Sequence, residues 1–215
     1  MARKQQTSNT NIVIGLDIGT SKIAAIIGKV KGDGGIEVVG LGTHPSKGLK
    51  KGVVVNIDST VESIQRAIDE AERMSGIKAV SVSVGIAGSH IGSFNSNGMV
   101  AISHQEVQQE DVQRVIDAAQ TIAIPGDQEV LHILPQEFMI DNQGGIREPI
   151  GMSGVRLEAK VHMVTGSVSA AQNITKCVER CSLKVDNLTL EQLASSEAVL
   201  SEDEKELGVC LVDIG

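Results

Sequence analysis

The sequence is short of rings: its 215 residues include two phenylalanines, Phe94 and Phe138, and no tyrosine or tryptophan. A core built without them is aliphatic, and a surface without them has no platform on which bases can stack. Cations are also few, 19 Lys and Arg against 27 Asp and Glu, for a net charge of −8. Together these two shortages exclude nucleic acid as a partner. No run of about eighteen apolar residues occurs, so nothing reads as a membrane span. The opening MARKQQTSNTN is polar, and only Ile12 to Leu16 follow before Asp17 interrupts, which is not a signal peptide; residues 1–11 read as a disordered leader. Three cysteines, Cys177, Cys181 and Cys210, are an odd number without a secretion signal, so a disulfide framework is excluded and a reducing compartment expected. Cys177 and Cys181 share a helical face but lack further ligands at metal-binding spacing, and they read as small buried hydrophobes. What is plentiful is aliphatic residue and glycine, 41% hydrophobic with 23 Gly, a globular composition.

In IVIGLDI (12–18), Ile12, Ile14, Leu16 and Ile18 alternate with Val13, Gly15 and Asp17, the period of a half-buried strand. A turn at Gly19 and Thr20 leads to strands at 22–30 and 36–43, joined by the hairpin signal KGDGG. Asp58 or Ser59 then caps a helix with Val61, Ile64, Ile68 and Ala71 inward, Gly76 stops it, and a strand follows at 79–86. Residues 87–165 change character: a Gly- and Asn-rich strand at 90–102, a helix begun by a capping box from Ser103 to Glu106, short strands around VLHILP and EFMID, and a strand at 155–164. This reads as a compact α+β unit inserted into the first, and it carries most of the net negative charge, as a solvated or partner-facing surface would. From 166 the earlier style resumes: a helix capped by Ser167, a strand at 183–190, a short helix at 191–200, a charged SEDEKE loop and a final strand GVCLVDI at 208–214.

The chemistry sits in a repeat. VIGLDIG (13–19) and GVCLVDIG (208–215) are both apolar strands ending in Asp-Ile-Gly. After the first come Thr20, Ser21 and Lys22. Glycine lets backbone N–H groups approach a phosphate, the two hydroxyls add donors, and Lys22 adds a point charge. Asp17 and Asp213 cannot bind phosphate but can hold Mg²⁺ through its water shell. Two unrelated strand ends are the plain alternative. The five histidines, His44, His90, His104, His132 and His162, have no ligand spacing to one another. Lys47, Lys50 and Lys51 in SKGLKKG read as a solvated loop, with docking of a partner or neighbouring subunit as the functional alternative.

These segments resemble the two phosphate motifs of the actin, Hsp70 and sugar-kinase ATPase superfamily. Within it, IVIGLDIGTSKIAAIIG, GLKKGVVVNID, VLHILPQEFMID, GMSGVRLEAKVHMVTG and ELGVCLVDIG resemble the FtsA family of bacterial cell-division proteins over residues 11–215. The resemblance implies an α/β, actin-like (ribonuclease H-like) mixed sheet with helices, subdomain 1A at 12–86 and 166–215, and an inserted subdomain 1C at 87–165. It implies an ATP-binding scaffold with Mg²⁺ on the cytoplasmic side of the inner membrane at the division site. Such a scaffold polymerises with itself, tethers the FtsZ ring, and recruits later division proteins through 87–165. Carried over residue by residue, Asp17, Gly19, Thr20, Ser21 and Lys22 form the first phosphate loop and Asp213 with Gly215 begins the second. Glu191 falls where related ATPases orient water near the γ-phosphate, or it is a first-turn carboxylate favoured by the helix dipole. By this reading the second phosphate loop breaks off at Gly215. The adenosine site, the FtsZ-binding subdomain and a lipid-binding terminal helix belong to a further half, and residues 1–215 by themselves bind ATP weakly or not at all. Weak ATPase activity stays open, as do a small-molecule kinase and a pilus or rod-shape relative of the same superfold.

Overall fold

In the computed structural model, which describes residues 12–213, the alternating segments become strands with one buried face. In chain order the elements are β1 Ile12–Ile18, β2 Lys22–Val30, β3 Ile36–Pro45, β4 Leu49–Lys50, β5 Val53–Val54, α1 Ile57–Ser75, β6 Ser81–Ile86, β7 Gly92–Ala101, α2 Gln109–Ala119, β8 Gln128–Ile140, β9 Gln143–Ile146, β10 Arg156–Ser167, α3 Val168–Arg180, β11 Lys184–Leu190, α4 Glu191–Val199 and α5 Glu202–Leu207. The chain divides into two units, one made of the residues up to Ser89 together with those from Ala170 onward, the other of His90–Ser169. The leader at 1–11 and Gly215 lie outside the described residues. Among the described residues no helix is long and apolar enough to cross a membrane.

The first unit is a five-stranded mixed sheet in the order β11-β6-β1-β2-β3. β1, β2 and β3 form an antiparallel meander, while β6 runs parallel to β1 and β11 parallel to β6. Parallel neighbours cannot be joined by a hairpin, so each needs a long crossover; α1 lies in the connection from β3 to β6. Ile14, Leu16, Ile18, Ile23, Ile27, Val82, Val84 and Ile86 are buried, as are Ile64, Ala67 and Ile68 of α1. Each buried Val, Leu or Ile side chain contributes about 1.5–3 kcal/mol. Close approach of helix to sheet rests on Gly42 of β3, where a Cβ would lie 1.9 Å from the Ala67 carbonyl oxygen. The cap of α1 is Asn56 and not Asp58 or Ser59: its side chain accepts from the Ser59 N–H at 2.9 Å. Asn56 is the residue whose extended backbone leaves its amide oxygen free to reach that donor.

The second unit is a four-stranded antiparallel sheet, β7-β10-β8-β9, with α2 packed on it. Leu157, Ala159, Val161 and Met163 of β10 meet Val115 and Ala119 of α2 in its core. Four sequence expectations are corrected here and in the chain beyond it. Ser103 and Glu106 do not begin a helix; Glu106 bridges Ser153, and α2 starts after Gln108, whose N–H donates to the buried Asp111 carboxylate at 3.0 Å. The two short strands around VLHILP and EFMID are one strand, β8. Pro135 interrupts its sequence but not its pairing, because a register shift skips Gln136 there and the ladder needs no N–H from proline. The SEDEKE loop is the helix α5, closed by a capping box between Ser201 and Glu204. Residues 208–213 form no strand: among the described residues no sheet edge pairs with them, and an unpaired strand has nothing to hold its backbone groups.

Candidate functional site

β1, β6 and β11 run in the same direction, so their carboxyl ends share one side of the sheet, the place where open α/β sheets gather ligands. Asp17 lies next to last in β1, on the face opposite the buried Leu16 and Ile18. Glu191 follows β11 directly as the first residue of α4. Between them, Gly85 of β6 leaves room for Glu191, since a Cβ there would lie 2.9 Å from the Glu191 Cγ.

The Asp17 and Glu191 side chains are hydrogen-bonded to each other, which requires a shared proton. Burial pushes the Glu191 carboxyl up to about 7, assisted by the negative charge of Asp17, their hydrogen bond and the charge of Asp213. Asp17 is also raised by burial, while the hydrogen bond from Glu191 and the Lys22 ammonium oppose that rise and Asp213 adds to it. The consistent assignment is a protonated Glu191 donating to an ionised Asp17. The structure thus brings together Asp17, Glu191, Asp213 and Lys22, four of the residues singled out by sequence. Among the described residues no three His, Cys, Asp or Glu side chains are placed to hold a metal ion directly.

The turn from β1 to β2 supplies the other groups. Gly19 sits where a Cβ would come 2.9 Å from the Lys22 carbonyl oxygen, so the turn can close only around glycine. Thr20, Ser21 and Lys22 are all exposed. The Ser21 carbonyl accepts from the Ser46 N–H at 3.0 Å, and the Thr20 hydroxyl accepts from the Gly52 N–H at 3.3 Å. A hydroxyl that accepts through its oxygen keeps its own proton to donate. Thr20 therefore presents an O–H to solvent or ligand while its lone pair anchors a second loop. The roles of Gly52 and Gly85 were invisible to the sequence reading. Gly52 lies in SKGLKKG, but what each glycine does depends on a residue far away in the chain.

The family described as the SHS2 domain inserted in FTSA matches residues 88–165. The chain is 67% identical over 204 residues to the cell division protein FtsA of Pseudomonas aeruginosa, covering 95% of this chain and 49% of that protein. It is 54% identical over 200 residues to FtsA of Neisseria meningitidis, covering 93% and 48%, and 49% identical over 210 residues to FtsA of Escherichia coli, covering 98% and 50%. The chain thus spans about half the length of these relatives. Among solved structures, the PilM-PilN type IV pilus biogenesis complex is similar in fold, with a TM-score of 0.59 at 14% identity, over 86% of this chain and 49% of that one.

Proposed function

Because the chain belongs to the FtsA family of cell-division proteins, we propose that its first unit holds the phosphates and magnesium of ATP in an actin-like scaffold that acts at the division site. The observation that carries this reading is the convergence of Asp17, Glu191 and Asp213 beside the turn formed by Gly19, Thr20, Ser21 and Lys22. Hard carboxylate oxygens such as those of Asp17 and Asp213 suit Mg²⁺ held through its waters. Bound there, Mg²⁺ would neutralise phosphate charge. The protein's own part is to orient: backbone N–H groups and the Thr20 and Ser21 hydroxyls face the phosphates, with Lys22 as counter-charge. Glu191, beside Asp17 at the start of α4, would orient a water near the phosphates for slow turnover.

The wider role is also part of the proposal. The scaffold associates with itself and tethers the FtsZ ring on the cytoplasmic side of the inner membrane. Residues 87–165 meet neighbouring subunits and later division proteins, for which their excess of acidic side chains is suited. Binding of a fluorescent ATP analogue by the full-length protein tests the site: Lys22→Ala should weaken it about ten-fold or more. Unchanged affinity would remove Lys22 from the phosphate site.

A further inference from the structure

Between β3 and α1 the chain makes a two-residue hairpin, β4 to β5, whose loop is Lys51-Gly52. Both loop residues have positive φ, 53° at Lys51 and 77° at Gly52. That is the turn form whose first position favours Asn, Asp or Gly, because a Cβ there crowds the following carbonyl oxygen and Asn and Asp offset this by hydrogen-bonding locally. A left-handed lysine costs about 1 kcal/mol. The sequence therefore keeps a lysine where the backbone alone would select a different residue, and such outliers point to a use for the side chain.

The arm that carries Lys51 is fixed at both ends. At its base the Gly48 carbonyl accepts from the Val55 and Asn56 N–H groups at 2.7 and 3.1 Å, joining it to the cap of α1. At its tip the Gly52 N–H donates to the Thr20 hydroxyl, and a Cβ on Gly52 would lie 2.3 Å from the Ala87 carbonyl oxygen. The tip is thus seated on the turn that faces the phosphates. Lys51 is exposed and makes no ion pair among the described residues. The site it borders holds the carboxylates of Asp17 and Asp213, the carboxyl of Glu191 and, among the described residues, one lysine, Lys22, so a polyphosphate bound there with one Mg²⁺ meets a shortage of positive charge.

We infer that Lys51 is a second phosphate-binding cation, carried to the nucleotide by the hairpin that Thr20 anchors. This inference rests on the nucleotide-binding reading above. A lysine is a point charge on a flexible four-carbon stem, suited to reach a phosphate oxygen from a fixed backbone. Thr20 then serves twice, donating its proton to a phosphate and holding the arm through its lone pair. Binding of a phosphate at the turn and placement of Lys51 reinforce each other.

The test is calorimetric titration of MgATP into the full-length wild type and into Lys51→Asn, Lys51→Arg and Lys50→Asn, with melting of each nucleotide-free protein. Asparagine suits the left-handed position, so Lys51→Asn should melt no lower than the wild type and yet bind MgATP about ten-fold more weakly. Lys51→Arg should keep most of the affinity. Lys50→Asn removes the same charge one residue earlier, within strand β4, and should change affinity less than about two-fold. Wild-type affinity in Lys51→Asn overturns the inference while leaving nucleotide binding intact, as does a loss of affinity accompanied by a lowered melting point. Absence of MgATP binding in the wild type overturns the nucleotide reading itself, and this inference with it.

Discussion

Replacing Glu191 with glutamine should make the chain more stable at alkaline pH, by an amount set by the carboxyl pair. In the folded chain Glu191 titrates near 7, whereas unfolded it returns to its ordinary 4.5. Because the folded pKa is the higher, the folded state binds the proton more tightly. The stability this contributes is full below about pH 4.5 and is lost as pH rises through 7. Between pH 5 and pH 8 the loss is at most about 2.5 kcal/mol by linkage, and about 1–2 kcal/mol once partial solvent access and the sharing of the proton with Asp17 are allowed for. Glutamine cannot ionise, keeps a donor toward Asp17, and fits the space Gly85 leaves. Urea denaturation of wild type and Glu191→Gln at both pH values, in metal-free buffer, measures the effect. The variant's advantage should be about 1–2 kcal/mol larger at pH 8 than at pH 5. An advantage that does not change with pH would refute the buried carboxyl pair.

Other outcomes follow from packing and burial. Gly42→Ala should destabilise the first unit by about 3 kcal/mol or more, seen as a lower urea midpoint, because its Cβ would lie 1.9 Å from the Ala67 carbonyl oxygen and 2.6 Å from the Ala71 nitrogen, both backbone atoms that cannot yield. Asp111 is held below its ordinary pKa chiefly by the Gln108 N–H, with Arg114 adding to it. Its contribution should therefore be present above about pH 4 and be lost only as pH falls through its depressed folded-state pKa, so Asp111→Ala should cost about 1–3 kcal/mol at pH 7 and progressively less on acidification, as followed by circular dichroism. Cys177 and Cys181 are buried, with burial pushing the Cys181 thiol up to about 11, whereas Cys210 is exposed. A thiol-reactive dye should label Cys210 alone in the native chain and all three in denaturant.

The sequence was legible where local chemistry decides the outcome. Alternation in β1 placed Asp17 opposite Leu16 and Ile18, and the helix α1 followed from Val61, Ile64, Ile68 and Ala71. The same reading failed where a distant partner decides. GVCLVDI has the pattern of a strand, but pattern alone does not supply a neighbouring edge. Pro135 suggested a break, and only the register of β10 shows that the ladder can pass over it. At the site, Asp17 and Lys22 were readable because they flank a turn with a recognisable motif. Gly85 and Gly52 were not, since one makes room for Glu191, 106 residues later, and the other donates to Thr20, 32 residues earlier. No local signal encodes either relation.

The central claim is that the carboxyl ends of β1 and β11 hold the magnesium and phosphates of ATP. Calorimetric titration of ATP into the full-length protein, with and without Mg²⁺, and into its Asp17→Ala variant tests it most directly. Saturable, Mg²⁺-dependent binding in the wild type that weakens at least about ten-fold in Asp17→Ala is the predicted result. Binding that is indifferent to both Mg²⁺ and Asp17, or no binding to the wild type at all, would contradict it.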